Sequence, residues 1–191
     1  MVPQPFFFFV GKIASGKETQ GRLLAEALGF EMFSTGAQFR AMLASETDLG
    51  KRVKEVYEQG LLMPAWFANY LFQQFVLNLP PDKGAVFEGS GRDVDQAKMI
   101  EEVSVWLKRP YAVLNLQVSD ETVLKRSLAR ARDAVDSEAT VKTRLAEYAR
   151  LTEPAIAHFR TLGRVIDING ENTPEVVDKE VSVAIAEFNK K

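Results

Sequence analysis

Short apolar runs alternate with longer amphipathic segments along the chain. Phe6–Val10 is five apolar residues in a row, with no polar alternation. That is the pattern of a parallel strand covered on both faces. A loop over 11–16 follows, then Lys17–Leu28, whose Leu23, Leu24, Ala27 and Leu28 fall on one side of a helix. Glu31–Phe33 is a short strand, and 38–59 is helical with an interruption near Glu46–Asp48. Pro64 opens a helix to about Asn78, at the position where a missing N–H loses no partner. Ala85–Phe87 and Tyr111–Val118 read as strands, with a helix over Val94–Leu107 between them. Ser119 caps a helix over Asp120–Arg130 that has an acidic first turn. Ser137–Arg160 is a long helical segment bent near Pro154, Arg164–Ile168 the last strand, and Thr173-Pro174 the start of a final helix to about Asn189. Five strands separated by helices predict an α/β fold: a parallel sheet with helices on both faces and ligands beyond the carboxyl ends of its strands.

Composition narrows the picture. The chain has 191 residues, 46% hydrophobic and 26% charged, enough for one globular domain. A net charge of −2 supplies no basic field to draw the protein to nucleic acid or an anionic membrane, so anion binding has to come from local clusters. With no cysteine, disulfides, thiolate catalysis and cysteine-ligated zinc are excluded. The only histidine, His158, reads as packing or surface. No basic leader or membrane-length apolar run is evident, which predicts a cytoplasmic protein.

The candidate chemistry begins after the first strand. Gly11-Lys12-Ile13-Ala14-Ser15-Gly16-Lys17-Glu18-Thr19 fits G-x-x-x-x-G-K with threonine one position late, and strand, loop and helix come in the required order. Glycines let the backbone turn its N–H groups toward phosphate, the helix adds its positive end, and Lys17 offers a point charge to the β and γ phosphates. The loop indicates a nucleotide phosphate without naming a reaction.

Further segments narrow the field. Lys17-x-Thr19-Gln20 resembles the Gly-Lys-Gly-Thr-Gln of adenylate kinases. Ser34-Thr35-Gly36-Ala37-Gln38-Phe39-Arg40, Gly60-Leu61-Leu62-Met63-Pro64, and Phe87-Glu88-Gly89-Ser90-Gly91-Arg92 with Gln96 resemble three more segments of that family, in its order. Arg144 with Tyr148, Thr152 with Pro154, and Asp167 with Gly170 extend the resemblance to the end of the chain.

The resemblance implies a P-loop-type nucleoside monophosphate kinase of one domain, monomeric, using ATP, AMP and Mg2+. It has an acceptor-binding segment over 34–64 and a short lid over 131–143. Only 13 residues separate Arg130 from Arg144, too few for a long zinc-capable lid. ATP would be held by Ala14, Ser15, Gly16, Lys17, Glu18, Thr19, Arg126, Arg130 and Asn172. AMP would be held by Thr35, Gly36, Arg40, Leu61, Leu62, Met63, Gly89, Ser90, Gly91, Arg92, Gln96, Arg132 and Arg144. Lys17, Arg92, Arg130, Arg132 and Arg144 would act on the transferring group. No side chain would bind metal directly; Mg2+ would arrive with ATP and water, near Thr19 and Glu88. Arg40 and Arg92 would clamp the acceptor phosphate, since guanidinium donates twice to one phosphate. Gln96 would read the adenine edge and, with Thr35, favour AMP over pyrimidine acceptors.

Three residues depart from the family pattern. Ala14 stands for a glycine and tolerates positive φ poorly, which predicts an altered loop. Glu18 stands for a glycine and has to point outward or pair with a cation such as Lys12 or Lys17. Glu88 stands for an aspartate. Gly91 for proline and Ala37 for aspartate are milder. Two alternatives stay open: a UMP/CMP kinase, and a noncatalytic nucleotide-binding protein in which Ala14, Glu18 and Glu88 are lesions.

Overall fold

The computed structural model describes residues 3–130 and 137–190. Its elements are β1 (Phe6–Gly11), α1 (Lys17–Leu28), β2 (Glu31–Ser34), α2 (Thr35–Leu43), α3 (Asp48–Glu58), α4 (Ala65–Leu77), β3 (Ala85–Glu88) and α5 (Val94–Trp106). Then come β4 (Tyr111–Gln117), α6 (Asp120–Arg130), α7 (Glu138–Glu147), a π turn (Tyr148–Thr152), α8 (Glu153–Thr161), β5 (Val165–Asn169) and α9 (Pro174–Phe188). The five strands form one parallel sheet in the order β2-β3-β1-β4-β5, the expected architecture.

The phenylalanine run explains why β1 lies inside the sheet. Side chains alternate across a strand, so Phe6 and Phe8 enter the core beneath α4, α5 and α8, while Phe7 and Phe9 enter the core beneath α1 and α9. All four are fully buried. Each such ring contributes roughly 1.5–3 kcal/mol of hydrophobic stabilisation. Phe8 stacks on Phe87 of β3 at 4.5 Å between centroids, directly across their parallel pairing. Interior strands are covered on both faces, as β3 and β4 are too, and the carboxyl end of β1 opens into the middle of the sheet's upper edge.

Local chemistry sets the element boundaries. Ser34 ends β2 and caps α2, its Oγ accepting from Ala37 N at 3.2 Å. Thr47 caps α3 and splits the expected 38–59 helix where the interruption was anticipated. Ser119 accepts from Thr122 N, as expected of a cap. Thr173 stands at the expected N-cap of α9, although its side chain makes no capping bond. The 137–160 segment is α7 and α8 joined by the π turn, with Pro154 in the first turn of α8. The α-helical hydrogen bonding is thus interrupted ahead of the proline, in a widened turn that no composition rule signals.

At the amino edge of the sheet, Arg109 is a structural clamp. It is buried and donates to the carbonyls of Gln4 (3.0 Å), Lys83 (2.7 Å) and Pro80 (2.9 Å), with its guanidinium over the ring of Phe6.

Candidate active site

Beyond the carboxyl ends of β1, β2 and β3 lies a cleft of about 770 Å³. Its described lining carries seven cationic side chains and three carboxylates, in a protein of net charge −2. The positive field absent from the chain as a whole is gathered in one place.

The loop over 11–16 forms its floor. Gly11 has φ 140, and a Cβ there would stand 2.5 Å from the Leu116 carbonyl oxygen; Gly16 has φ 99. Ala14 adopts φ 56, so the left-handed turn is kept and the loop is not rerouted as its alanine predicted. The strain is carried locally, at an expense of about 1–2 kcal/mol for a Cβ in that region. Lys12 turns away from the cleft, to Asp120 Oδ1 (2.6 Å) and the Val118 carbonyl (3.0 Å), tying the loop to the start of α6. Lys17 is buried and folds its Nζ onto the Lys12 carbonyl at 2.5 Å. Burial lowers its pKa to about 8; Arg92, Arg130 and Arg144 push the same way, and Glu88 opposes them. Ser15 is buried in the loop, whereas Glu18 and Thr19 are exposed on the first turn of α1. Gln20 is a tie between helices, its Nε2 donating to the Pro174 carbonyl at the start of α9.

The second wall comes from β2, α2 and the turn after β3. Ser34 Oγ donates to Glu88 Oε2 at 2.8 Å, and Arg92 lies 3.5 Å from Glu88 Oε1. Thr35 and Ser90 share a buried hydroxyl bond of 3.2 Å. A Cβ at Gly36 would sit 3.2 Å from Arg40 Nη1, and one at Gly89 would sit 2.8 Å from Arg92 Nη2. These glycines leave the room that the two arginines occupy. Gly91 has φ 76, a conformation closed to the proline of the family pattern. Leu61, Leu62 and Met63 line the same wall.

Two side chains take partners that the sequence left unspecified; Glu18 does pair with a cation, as expected. Glu18 pairs with neither Lys12 nor Lys17: it reaches across the cleft to Arg40, Oε1 to Nη2 at 3.2 Å. The amide of Gln96 lines the cleft yet is held by its own turn. Its Oε1 accepts from Gly91 N and Arg92 N, both at 3.1 Å, and its Nε2 donates to Asp93 Oδ2 at 2.7 Å.

Arg126, Arg130 and Arg144 close the third side. Arg126 donates to the carbonyls of Glu171 (3.1 Å) and Asn172 (3.5 Å); Asn172 itself stays outside the lining. Arg144 lies over the ring of Tyr57 at 5.3 Å, and its Nε is buried with no hydrogen-bond partner. Burial lowers its pKa, with Arg92 and Arg130 pushing the same way and Tyr57 opposing them. Arg132 and residues 131–136 of the 131–143 lid fall outside the described residues; 137–143 are the cap and first turns of α7.

The structure therefore brings Ala14, Gly16, Lys17, Glu18, Thr19, Thr35, Gly36, Arg40, Leu61, Leu62, Met63, Glu88, Gly89, Arg92, Gln96, Arg126, Arg130 and Arg144 to one cleft. Ser15, Ser90 and Gly91 sit behind its wall. Sequence reasoning missed three residues. Ser34 fixes Glu88, Tyr57 lies under Arg144, and Thr152 holds the Arg92 carbonyl at 2.9 Å. Thr152 and Ser34 stood inside recognised segments; Tyr57 had no signal beyond a helical position.

Comparison with known proteins agrees with this geometry. The sequence model of the family described as adenylate kinase matches residues 9–164. The chain is 34% identical to adenylate kinase 1 of Synechocystis sp., over 88% of this chain and 90% of that one. It is 33% identical to the adenylate kinase of Corynebacterium urealyticum, over 92% and 96%. It is also 34% identical to human adenylate kinase isoenzyme 5, over 93% of this chain and 32% of that longer one. With the family model matching most of the chain and relatives about a third identical over nearly all of it, the chain belongs to the adenylate kinase family of phosphotransferases.

Proposed function

We propose that the protein reversibly transfers the γ-phosphoryl group of ATP to AMP, giving two ADP. The observation that carries this is the layout of the cleft. The phosphate loop and Lys17 form the floor, Arg40 and Arg92 stand beside Gly36 and Gly89 on one wall, and Arg126, Arg130 and Arg144 close another side. An α-phosphate oxygen of AMP would attack the γ-phosphorus in line. The bond from that phosphorus to the β–γ bridging oxygen would break, and ADP would leave with the electron pair. No proton has to be abstracted from a phosphate acceptor at neutral pH, so the side chains position and neutralise. Lys17 would exchange the Lys12 carbonyl for β and γ oxygens.

The residues present fit a nucleotide-borne Mg2+. Among the described residues no group of three or more acidic or histidine side chains could hold a metal alone, and Glu88 is a fixed carboxylate beside Lys17. Mg2+ prefers a few carboxylate or phosphate oxygens and retained water. It would neutralise charge on the β and γ phosphates, with Glu88 and Thr19 holding its water.

AMP is the acceptor we infer, because of Thr35 together with Gln96, and Gln96 bears on the choice against guanine and uracil. Both lone-pair sites of its Oε1 are taken by Gly91 and Arg92, and one N–H by Asp93, which leaves one N–H to donate. That suits the acceptor at N1 of adenine and not the N–H at the same place in guanine. Residues 131–143, including Arg132, are proposed as the short lid. No helix among the described residues is long and apolar enough to cross a membrane, and a cytoplasmic setting belongs to the same reading. The test is a coupled ADP-forming assay with ATP and AMP, CMP, UMP or GMP in turn. AMP should give the highest kcat/KM; a higher value with CMP or UMP overturns the acceptor, and no turnover with any of them overturns the kinase.

A further inference from the structure

Each arginine of the proposed acceptor clamp has a carboxylate beside it, and the two carboxylates are held very differently. Glu88, next to Arg92, is buried at the end of β3 and fixed by Ser34 Oγ. Glu18, next to Arg40, stands in the first turn of α1 with its side chain 49% exposed. Guanidinium accepts carboxylate and phosphate through the same paired N–H groups, so the two anions compete for one seat. The N-terminal end of α1 steadies Glu18's charge from behind, as it would a phosphate. The Glu18–Arg40 bridge also spans the cleft, from the helix after the phosphate loop to α2, through the space that an acceptor phosphate has to enter.

We propose that Glu18 is an internal competitor of the acceptor phosphate: in the ligand-free protein its carboxylate occupies Arg40, and the acceptor has to displace it. The proposal rests on the reading of Arg40 as part of the acceptor clamp. A dianionic phosphate, which Arg92 also draws, outcompetes a single carboxylate, whereas an unphosphorylated nucleoside leaves the bridge in place. Glu18 thus sets how much negative charge an acceptor must bring. Since an exposed ion pair stabilises by up to about 1 kcal/mol, its removal should tighten acceptor binding about two- to fivefold.

The test is a double-mutant cycle read by calorimetric titration of AMP into the protein, Glu18→Gln, Arg40→Gln and the double variant, each first checked for cooperative unfolding. The expected result is a two- to fivefold lower Kd for AMP in Glu18→Gln, and no effect of the same change once Arg40 is glutamine. Unchanged or weaker AMP binding in Glu18→Gln overturns the proposal. So does equal tightening in both backgrounds, which would make Glu18 a general source of negative field. If Arg40→Gln binds AMP as tightly as the unaltered protein, Arg40 is no part of the acceptor clamp, and the reading on which the proposal rests falls instead.

Discussion

Arg109 and Arg144, at opposite ends of the sheet, hold their donors in opposite ways. Arg109, at the amino edge, is buried among three carbonyls that take its donors, with an aromatic ring under its plane. Arg144, at the carboxyl edge, keeps a buried Nε without a partner and lies close enough to Arg92 and Arg130 for both to lower its pKa. The donors of the first guanidinium are taken up by the fold; the second keeps a donor without a partner. The contrast teaches that an arginine's role here is told by what surrounds its donors, not by how deeply it is buried.

The hardest test of the ligand-seeking end is Lys17→Ala. Activity in the coupled assay should fall by about 10³-fold or more, in a protein that still unfolds cooperatively, because the charge on the β and γ phosphates loses its buried partner. Near-normal turnover would remove Lys17 from the site. A crossed pair of substitutions then tests the comparison itself. Arg144→Ala should lower kcat/KM by about 10²-fold while leaving urea stability level or slightly raised, since a poorly partnered guanidinium is taken away. Arg109→Ala should do the reverse. Three carbonyls lose their donor, so stability should drop by about 2–4 kcal/mol, with kcat/KM at permissive temperature within twofold. If Arg109→Ala is the catalytically crippled variant, the two ends have been assigned the wrong way round.

Titration sharpens the same contrast. In the ligand-free protein the Lys17 pKa is lowered to about 8, below its unfolded value, so between about 8 and 10.5 the unfolded chain carries more protons at this group. Lys17's contribution to stability therefore rises with pH across that window, as its buried charge is relieved. Nucleotide phosphates favour the protonated form, so ATP affinity should run the other way and weaken by up to tenfold per pH unit above about 8. Calorimetry at pH 8.5, in two buffers of different ionisation enthalpy, should detect proton uptake on binding; none would mean that Lys17 is already fully charged. The smallest effect expected is that of Ala14→Gly. Releasing a Cβ from φ 56, against the greater freedom of glycine in the unfolded chain, should change stability by about 1 kcal/mol or less, in the stabilising direction. A clear loss of melting temperature would show that Ala14 is not strained.

The layout of strands and helices was legible in the sequence because it rests on local pattern. Four successive phenylalanines have nowhere to go except the two faces of an interior strand, and the glycine spacing after them admits few turns. The membership of the cleft was legible too, through the segments around Lys17, Thr35, Arg40 and Arg92. Partnerships were not. Glu18 found Arg40, 22 residues away, over Lys12 and Lys17 near it in sequence, because Lys12 faces Asp120 and Lys17 folds under the loop. Gln96 spends three of its hydrogen-bonding positions on its own turn, which its type and spacing leave unspecified. Arg109 carried no motif, since three carbonyl partners from two separate segments leave no signature in side-chain sequence.

The π turn at Tyr148–Thr152 also sets an angle. Successive residues on a helix point about 100° apart, so one residue gained or lost in that turn would rotate α7 by that amount about its axis relative to α8. α8 cannot follow, because Ala155, Ile156 and Phe159 are locked into the core. Any rotation taken up by α7 would pull the buried Val141 out of its cluster and turn Arg144 away from Tyr57. The widened turn acts as a phasing element between a helix packed into the core and one that carries Arg144 to the cleft. Chain length between Arg144 and Ala155 is therefore under tighter constraint than the identity of most residues along it.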